Sequence, residues 1–174
     1  MIGFVDIETT GLEVNRHSIL EVALVLTDNS LEEKLRESFV VSQSHVTLNA
    51  TNSWCEKQHK NSGLISEVKD SNVSNSEAEK NLIKLFQEEV SKGVDVPMAG
   101  NSVHFDREFL KSHMPGFENC FHYRNIDVSV FRELLERWGR EEDIWEGEEK
   151  PHRAMGDVER CIKELKYYQK LLFS

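Results

Sequence analysis

The chain opens on an apolar run, Ile2-Gly3-Phe4-Val5-Asp6-Ile7, which carries two carboxylates near its end, Asp6 and Glu8, and breaks at Thr9-Thr10-Gly11. A short run of this kind reads as a central strand, and a central strand demands cover from other layers. Residues two apart on a strand face the same way, so Asp6 and Glu8 leave one face of the sheet together, near its C-terminal edge. Neighbouring carboxylates repel and resist burial unless a cation or a proton compensates them. Oxygen-preferring divalent ions do this well. Taken alone, however, a D-x-E at a strand end is weakly specific, and solvated edge carboxylates are the plainer reading.

The rest of the pattern surrounds that strand. Residues 18–27 (SILEVALVLT) form a second β-rich segment followed by a turn near Asn29, and residues 34–41 complete an antiparallel meander. Residues 46–63, mixed and polar around Trp54, are expected to hold a short helix. Residues 68–76 read as a loop, with Ser76 and Glu79 spaced as a capping box for a helix carrying Leu82, Leu85, Phe86 and Val90. Residues 94–99 read as a strand ending at Gly100-Asn101, followed by a helix through Phe109 and Leu110 that Met114-Pro115-Gly116 stops. A short strand is expected at 125–128, then an amphipathic helix on Val130, Leu134, Leu135 and Trp138. Residues 140–151 are strongly acidic without apolar period and read as a flexible loop, and a last helix carries Val158, Cys161, Ile162, Leu165, Tyr168 and Leu172. The order β-β-β-α-β-α-β-α predicts an α/β fold, a mixed sheet flanked by helices. With neither repeat nor linker, residues 1–174 are expected to form a single domain.

Charge narrows the partners. A net charge of −10 disfavours broad attraction to a long polyanion, so a nucleic-acid partner would be short or held at a few points. Cys55, Cys120 and Cys161 are odd in number, widely separated and contain no CxxC, so neither a zinc knuckle nor a disulfide scaffold is suggested. They read as partly buried thiols in a reducing compartment. No basic, apolar leader and no membrane-spanning run is seen, and a cytoplasmic location is the default expectation.

Further residues invite chemistry, each with a plain alternative. Asp106 and Asp157 fall near helix starts, where acidic residues are favoured electrostatically in any case. Functionally they would be third and fourth carboxylates. His152, five residues before Asp157, is either surface or a base that takes a proton from an attacking water. Trp54 divides evenly between core packing and a stacking platform for a base, and Leu12 between core and wedge.

Four segments together resemble the oligoribonuclease family within the DEDDh exonucleases: DIETTGL at 6–12, NSWCEKQHKNSGL at 52–64, GNSVHFDREFL at 100–110, and HYRNIDVSVFRELLERW through HRAMGDVERCIKELKYY. The match is collinear over almost the whole chain. The D-x-E, D and H-x₄-D signatures define the broad nuclease group, and the W-C-x₃-H-x₂-SGL and YRNIDVS segments narrow it. The resemblance implies a ribonuclease H-like three-layer fold with a largely five-stranded sheet. It implies two ions, Mg²⁺ or Mn²⁺, held by Asp6, Glu8, Asp106 and Asp157, with His152 as general base. By the same transfer Leu12 wedges against terminal bases and Trp54 lies near them. Ser102, His59, Arg124 and Ser129 match positions that engage the 5′ phosphate of a very short RNA. A homodimer is implied, with Tyr123 reaching the partner's site. Two departures stand out: Thr9 where bacterial members commonly have Met, and Gly156 where Asp is common.

The expected activity is therefore a 3′→5′ exoribonuclease acting on very short, single-stranded RNA. A broader single-strand trimming or proofreading exonuclease is the nearest rival. A catalytically silent nucleic-acid-binding dimer is the rival from another class, although no ligand or base is missing.

Overall fold

The apolar run predicted as a central strand lies in the middle of a five-stranded sheet. In the computed structural model, residues 1–147 and 152–173 are described; the end of the expected acidic loop, 148–151, lies outside the described residues. The strands are Ile2–Thr9 (β1), Ile19–Thr27 (β2), Glu33–Val40 (β3), Pro97–Gly100 (β4) and His122–Asp127 (β5). Their order is β3-β2-β1-β4-β5, with β1–β2 and β2–β3 antiparallel and β1–β4 and β4–β5 parallel. The sheet is mixed, as expected, and helices cover both faces.

Strand parity decides which helix goes where. Phe4 on β1 stands opposite Val25 on β2, so both point to the same side, as do Asp6 and Ala23. That side packs on the last helix, α8 (Ala154–Phe173), through Ala154, Val158, Cys161 and Tyr168, and on Leu135 of α7 (Ser129–Arg137). The opposite parity, Val5, Ile7, Val22, Leu24 and Leu26, packs on α4 (Asn75–Glu89), α5 (Val103–His113) and the single turn α6 (Pro115–Glu118). Full burial of a side chain such as Phe4 or Leu24 contributes about 1.5–3 kcal/mol relative to exposure. A smaller cluster of Leu20, Leu48, Leu64 and Val68 seats α1 (His45–Asn49) and α3 (Leu64–Asp70) at one end.

Several sequence expectations need correction. The single helix expected within 46–63 is two, α1 and α2 (Ser53–Asn61), and α3 occupies the first part of the expected 68–76 loop. The capping box is Ser74 with Glu77, not Ser76 with Glu79: Ser74 Oγ accepts from Glu77 N while Glu77 Oε2 accepts from Ser74 N. Both pairs have the same spacing, and only Ser74 precedes the first helical residue. Ser74→Ala is expected to lower unfolding stability by about 1 kcal/mol, measured by urea denaturation. The strand expected at 94–99 begins only at Pro97, and β5 begins at His122 rather than 125. The acidic stretch after Gly139 includes a short 3₁₀ turn, Glu141–Asp143, so its first part is ordered rather than loop throughout. Among the described residues no helix is long and apolar enough to cross a membrane.

Cys55 and Cys161 are buried and Cys120 partly so. Burial pushes all three thiols above their ordinary values, Cys161 most strongly.

Candidate active site

The site grows from the end of β1. Asp6 and Glu8 share the face that α8 covers, and Asp157 comes to them from the first turn of α8. Each of the three offers a carboxylate oxygen, and these oxygens all lie within 4.8 Å of one another. None of the three is fully exposed. Three anionic oxygens this close repel strongly in a partly buried setting, and a hard divalent cation is the chemistry that reconciles them. The donor set therefore fits Mg²⁺ or Mn²⁺.

Asp106 arrives differently. β4 pairs with β1 only as far as Phe4 opposite Ala99, which leaves the amide of Ile7 beyond the parallel ladder. Asp106, buried in the first turn of α5, accepts that amide through Oδ1 at 3.0 Å. Close approach of the elements depends on Gly100, where a Cβ would lie 3.0 Å from Val5 O and 3.3 Å from Val103 Cβ. Asp106 thus braces the carboxylate strand and stands outside the tight trio.

The turn after β1 builds the other wall. Thr9 Oγ1 donates to Gly11 O at 2.8 Å, which accounts locally for threonine at that position. A Cβ at Gly11 would meet the His17 ring at 2.5 Å, so a larger residue there would have to displace that ring. Asn52 N donates to Thr10 O at 2.8 Å, and Asn52 Oδ1 caps α2 by accepting from Trp54 N at 2.9 Å. His59, on the same helix, donates from Nε2 to Thr9 O at 2.9 Å. That bond places its Nδ1 3.8 Å from Glu8 Oε2, too far for a hydrogen bond. Burial holds the His59 imidazole below its ordinary value.

A cleft of about 370 Å³ results, lined by Asp6, Glu8, Leu12, Trp54, His59, Phe105, His152 and Asp157 among others. Trp54 is 59% and Leu12 72% exposed, so neither is a core residue. The Trp54 ring meets the His152 ring edge-on, centroids 5.7 Å apart, leaving an aromatic face at the mouth of the cleft. His152 sits just before α8 with φ 50, a left-handed backbone that costs a non-glycine residue. Gly156 is an ordinary helical residue between His152 and Asp157.

Ser102, Arg124 and Ser129 do not line that cleft; the structure groups two of them elsewhere. Asp127 Oδ1 accepts from Ser102 N at 3.0 Å, Ser129 N at 3.2 Å and Ser129 Oγ at 2.7 Å. One oxygen thereby fixes the starts of α5 and α7, and holds Ser102 at φ 55. Tyr123, 74% exposed on the edge strand β5, lies near the Arg124 guanidinium, 5.5 Å from its ring. Asp127 is a residue the sequence reading missed, although D-x-S after a strand is an Asx-turn signal. Also missed were Glu21, a buried carboxylate inside an apolar strand, and Arg153, which pairs with it.

A family model described as Exonuclease matches residues 4–165. The oligoribonuclease of Azoarcus sp. (strain BH72) is 41% identical over 169 residues, covering 95% of this chain and 91% of that one. The mitochondrial oligoribonuclease of Mus musculus is 37% identical over 172 residues, covering 98% and 72%. Among solved structures, E. coli exonuclease I in complex with a 5cy-dT13 oligonucleotide superposes with TM-score 0.75 at 17% identity, covering 98% of this chain. The chain spans only 41% of that protein's length, and at this identity the likeness is one of fold.

Proposed function

Because this chain belongs to the oligoribonuclease family of exonucleases, we propose that it hydrolyses very short single-stranded RNA from the 3′ end, releasing nucleoside 5′-monophosphates. The observation that carries the reading is the convergence of Asp6, Glu8 and Asp157 beside His152 in one cleft. Residues 1–174 act as a single exonuclease domain, in keeping with one sheet whose strands and covering helices draw on nearly the whole chain.

Asp6, Glu8 and Asp157 hold the metal, and Asp106 completes the set from the brace it forms with β1. When bound, a pair of Mg²⁺ or Mn²⁺ ions supplies charge compensation for the phosphodiester and stabilises the leaving 3′ oxygen. His152 takes the proton of the attacking water, and its place at the rim lets that proton pass to solvent. Leu12 and the free face of Trp54 flank the terminal base, stacking being worth about 1–3 kcal/mol per base. Ser102, Ser129 and Arg124 receive the 5′ phosphate. His59, expected with them at the 5′ phosphate, is instead buried at the carboxylate end, where its bond to Thr9 O ties α2 to β1. The molecule works as a homodimer in which exposed Tyr123 reaches the partner's site. Dimerisation is checked by light scattering, where a mass near 20 kDa at every concentration would contradict it.

Length preference follows from charge. A processive degrader of long RNA gains affinity from a track of many cationic contacts. With a net charge of −10, a few local contacts on a short oligomer suit this surface better. Asp127→Ala, which removes all three of its bonds to Ser102 and Ser129, is expected to raise KM for a 5′-phosphorylated dinucleotide by about 10- to 100-fold, since hydrogen bonds to charged groups are worth about 1.5–3 kcal/mol each. The same change should leave KM for the 5′-hydroxyl form nearly unaltered, which steady-state kinetics on the two substrates would check.

The direct test of direction and product is a 5′-labelled five-nucleotide RNA incubated with Mg²⁺. Labelled products should shorten one nucleotide at a time, with nucleoside 5′-monophosphates released. Immediate release of the labelled 5′ nucleotide, or of 3′-monophosphates, would overturn the reading.

A further inference from the structure

We propose that the Glu21–Arg153 ion pair is a positioning clamp for His152, holding the segment before α8 against the sheet so that the imidazole faces the carboxylate cleft. This rests on the reading of His152 as the general base.

Glu21 is 2% exposed and stands directly opposite Glu8 across the β1–β2 ladder. Residues so paired share a face, and like charges there repel. A carboxylate buried beside a metal-holding carboxylate needs its own cation. Arg153 supplies it with a two-pronged contact, Nε to Oε2 and Nη2 to Oε1, each at 3.1 Å. Ala154 N adds a third bond to Oε2 at 3.0 Å. All three donors come from the two residues immediately after His152.

Arg153 also reaches Glu67 of α3, with Nη1 and Nη2 each 2.7 Å from a carboxylate oxygen. The guanidinium therefore ties β2, α3 and the start of α8 at one point. Its planar fork satisfies both oxygens of Glu21 at once, a geometry that an ammonium does not reproduce. His152 adjoins this anchor with its backbone in the left-handed region, and such a conformation persists only where its surroundings impose it. The Arg153 carbonyl separately accepts from Asp157 N at 3.0 Å, a backbone bond that does not depend on the Arg153 side chain. Losing the clamp should therefore disturb His152 far more than the metal carboxylates.

The decisive variant is the double substitution Glu21→Gln with Arg153→Gln, which removes the clamp without leaving a buried charge unpaired. Three quantities are compared with wild type: kcat and KM on a two-nucleotide RNA with Mg²⁺, Mn²⁺ affinity by calorimetry, and the histidine ring signals of ¹⁵N-labelled protein. We expect kcat to fall about 100-fold with KM little changed, as for a misplaced reacting group. Mn²⁺ affinity should be retained, and the His152 signals should shift or broaden while those of His122, on the far strand β5, stay put. A merely structural pair would lower thermal stability and leave the kcat-to-KM split and the His152 signals alone; that result overturns the proposal. So does a rate loss fully accounted for by weaker Mn²⁺ binding. Should the double variant fail to fold, Arg153→Lys, which keeps the charge but not the fork, carries the same comparison with the same expected signs. If wild type itself releases no nucleotide, the exonuclease reading fails, and the His152 signals still decide whether the clamp exists.

Discussion

Asp157→Asn is expected to lower mononucleotide release from short RNA by about 1,000-fold or more. Metal-borne charge stabilisation is worth several kcal/mol, and each 1.4 kcal/mol is a factor of ten. The substitution preserves shape, and the Asp157 amide keeps its bond to Arg153 O, so the helix start is not the casualty. What changes is the trio of oxygens within 4.8 Å of one another. The accompanying signature is thermal. In wild type, Mg²⁺ at a hundred times its dissociation constant should stabilise the fold by about 2.7 kcal/mol. For a domain of this size that is a rise in Tm of roughly 5–10 °C. The variant should lose most of that rise. Retention of both the Mg²⁺-dependent rise and the rate would remove Asp157 from the metal site.

His152→Ala should separate rate from metal binding. Losing a positioned general base costs about 10²- to 10⁴-fold in kcat. His152 stands at the rim, against Trp54, rather than within the group of three carboxylates. The Mg²⁺-dependent rise in Tm should therefore persist in this variant, while kcat collapses. Differential scanning fluorimetry and single-turnover kinetics on the same preparation would show the split. Loss of the thermal response together with the rate would make His152 a metal ligand; an undiminished rate would make it a bystander.

These two residues also mark how far a sequence reading reaches. The strand from Ile2 to Thr9 was legible because it is apolar and stops at Thr-Thr-Gly, and its D-x-E puts both carboxylates on one face by strand parity alone. The alternation of strands and helices predicted a mixed sheet flanked by helices, but not the spatial order β3-β2-β1-β4-β5. Helix edges among the polar residues 45–74 were harder, because short helices such as α1 and α3 show too little apolar periodicity to stand out. Two serines in near-identical contexts, Ser74 and Ser76, cannot be told apart as caps without the backbone.

At the site, strand parity paired Asp6 with Glu8 and the resemblance added Asp106 and Asp157, but neither gave their unequal standing. Asp106 is committed to the Ile7 amide, a contact 99 residues away in sequence that no local pattern encodes. Glu21 lay in plain view as a charge inside ILEVALVLT, yet the cation that neutralises it is 132 residues on. Asp127 was likewise visible, but its grip on Ser102 depends on β4 and β5 being neighbours. Trp54 and Leu12 could equally have been core, and only their exposure assigns them to the mouth of the cleft.

The central claim, a metal-dependent exonuclease suited to very short RNA, is tested most directly by one length-resolved assay. Two-, five- and twenty-nucleotide RNA and DNA strands are incubated with the protein, with Mg²⁺ omitted and then restored. Release of nucleoside 5′-monophosphate should require the metal, be fastest on the two-nucleotide RNA and fall with length. A rate that is flat across length, or equal on RNA and DNA, would contradict the short-RNA claim, and no release with Mg²⁺ or Mn²⁺ would contradict the exonuclease itself.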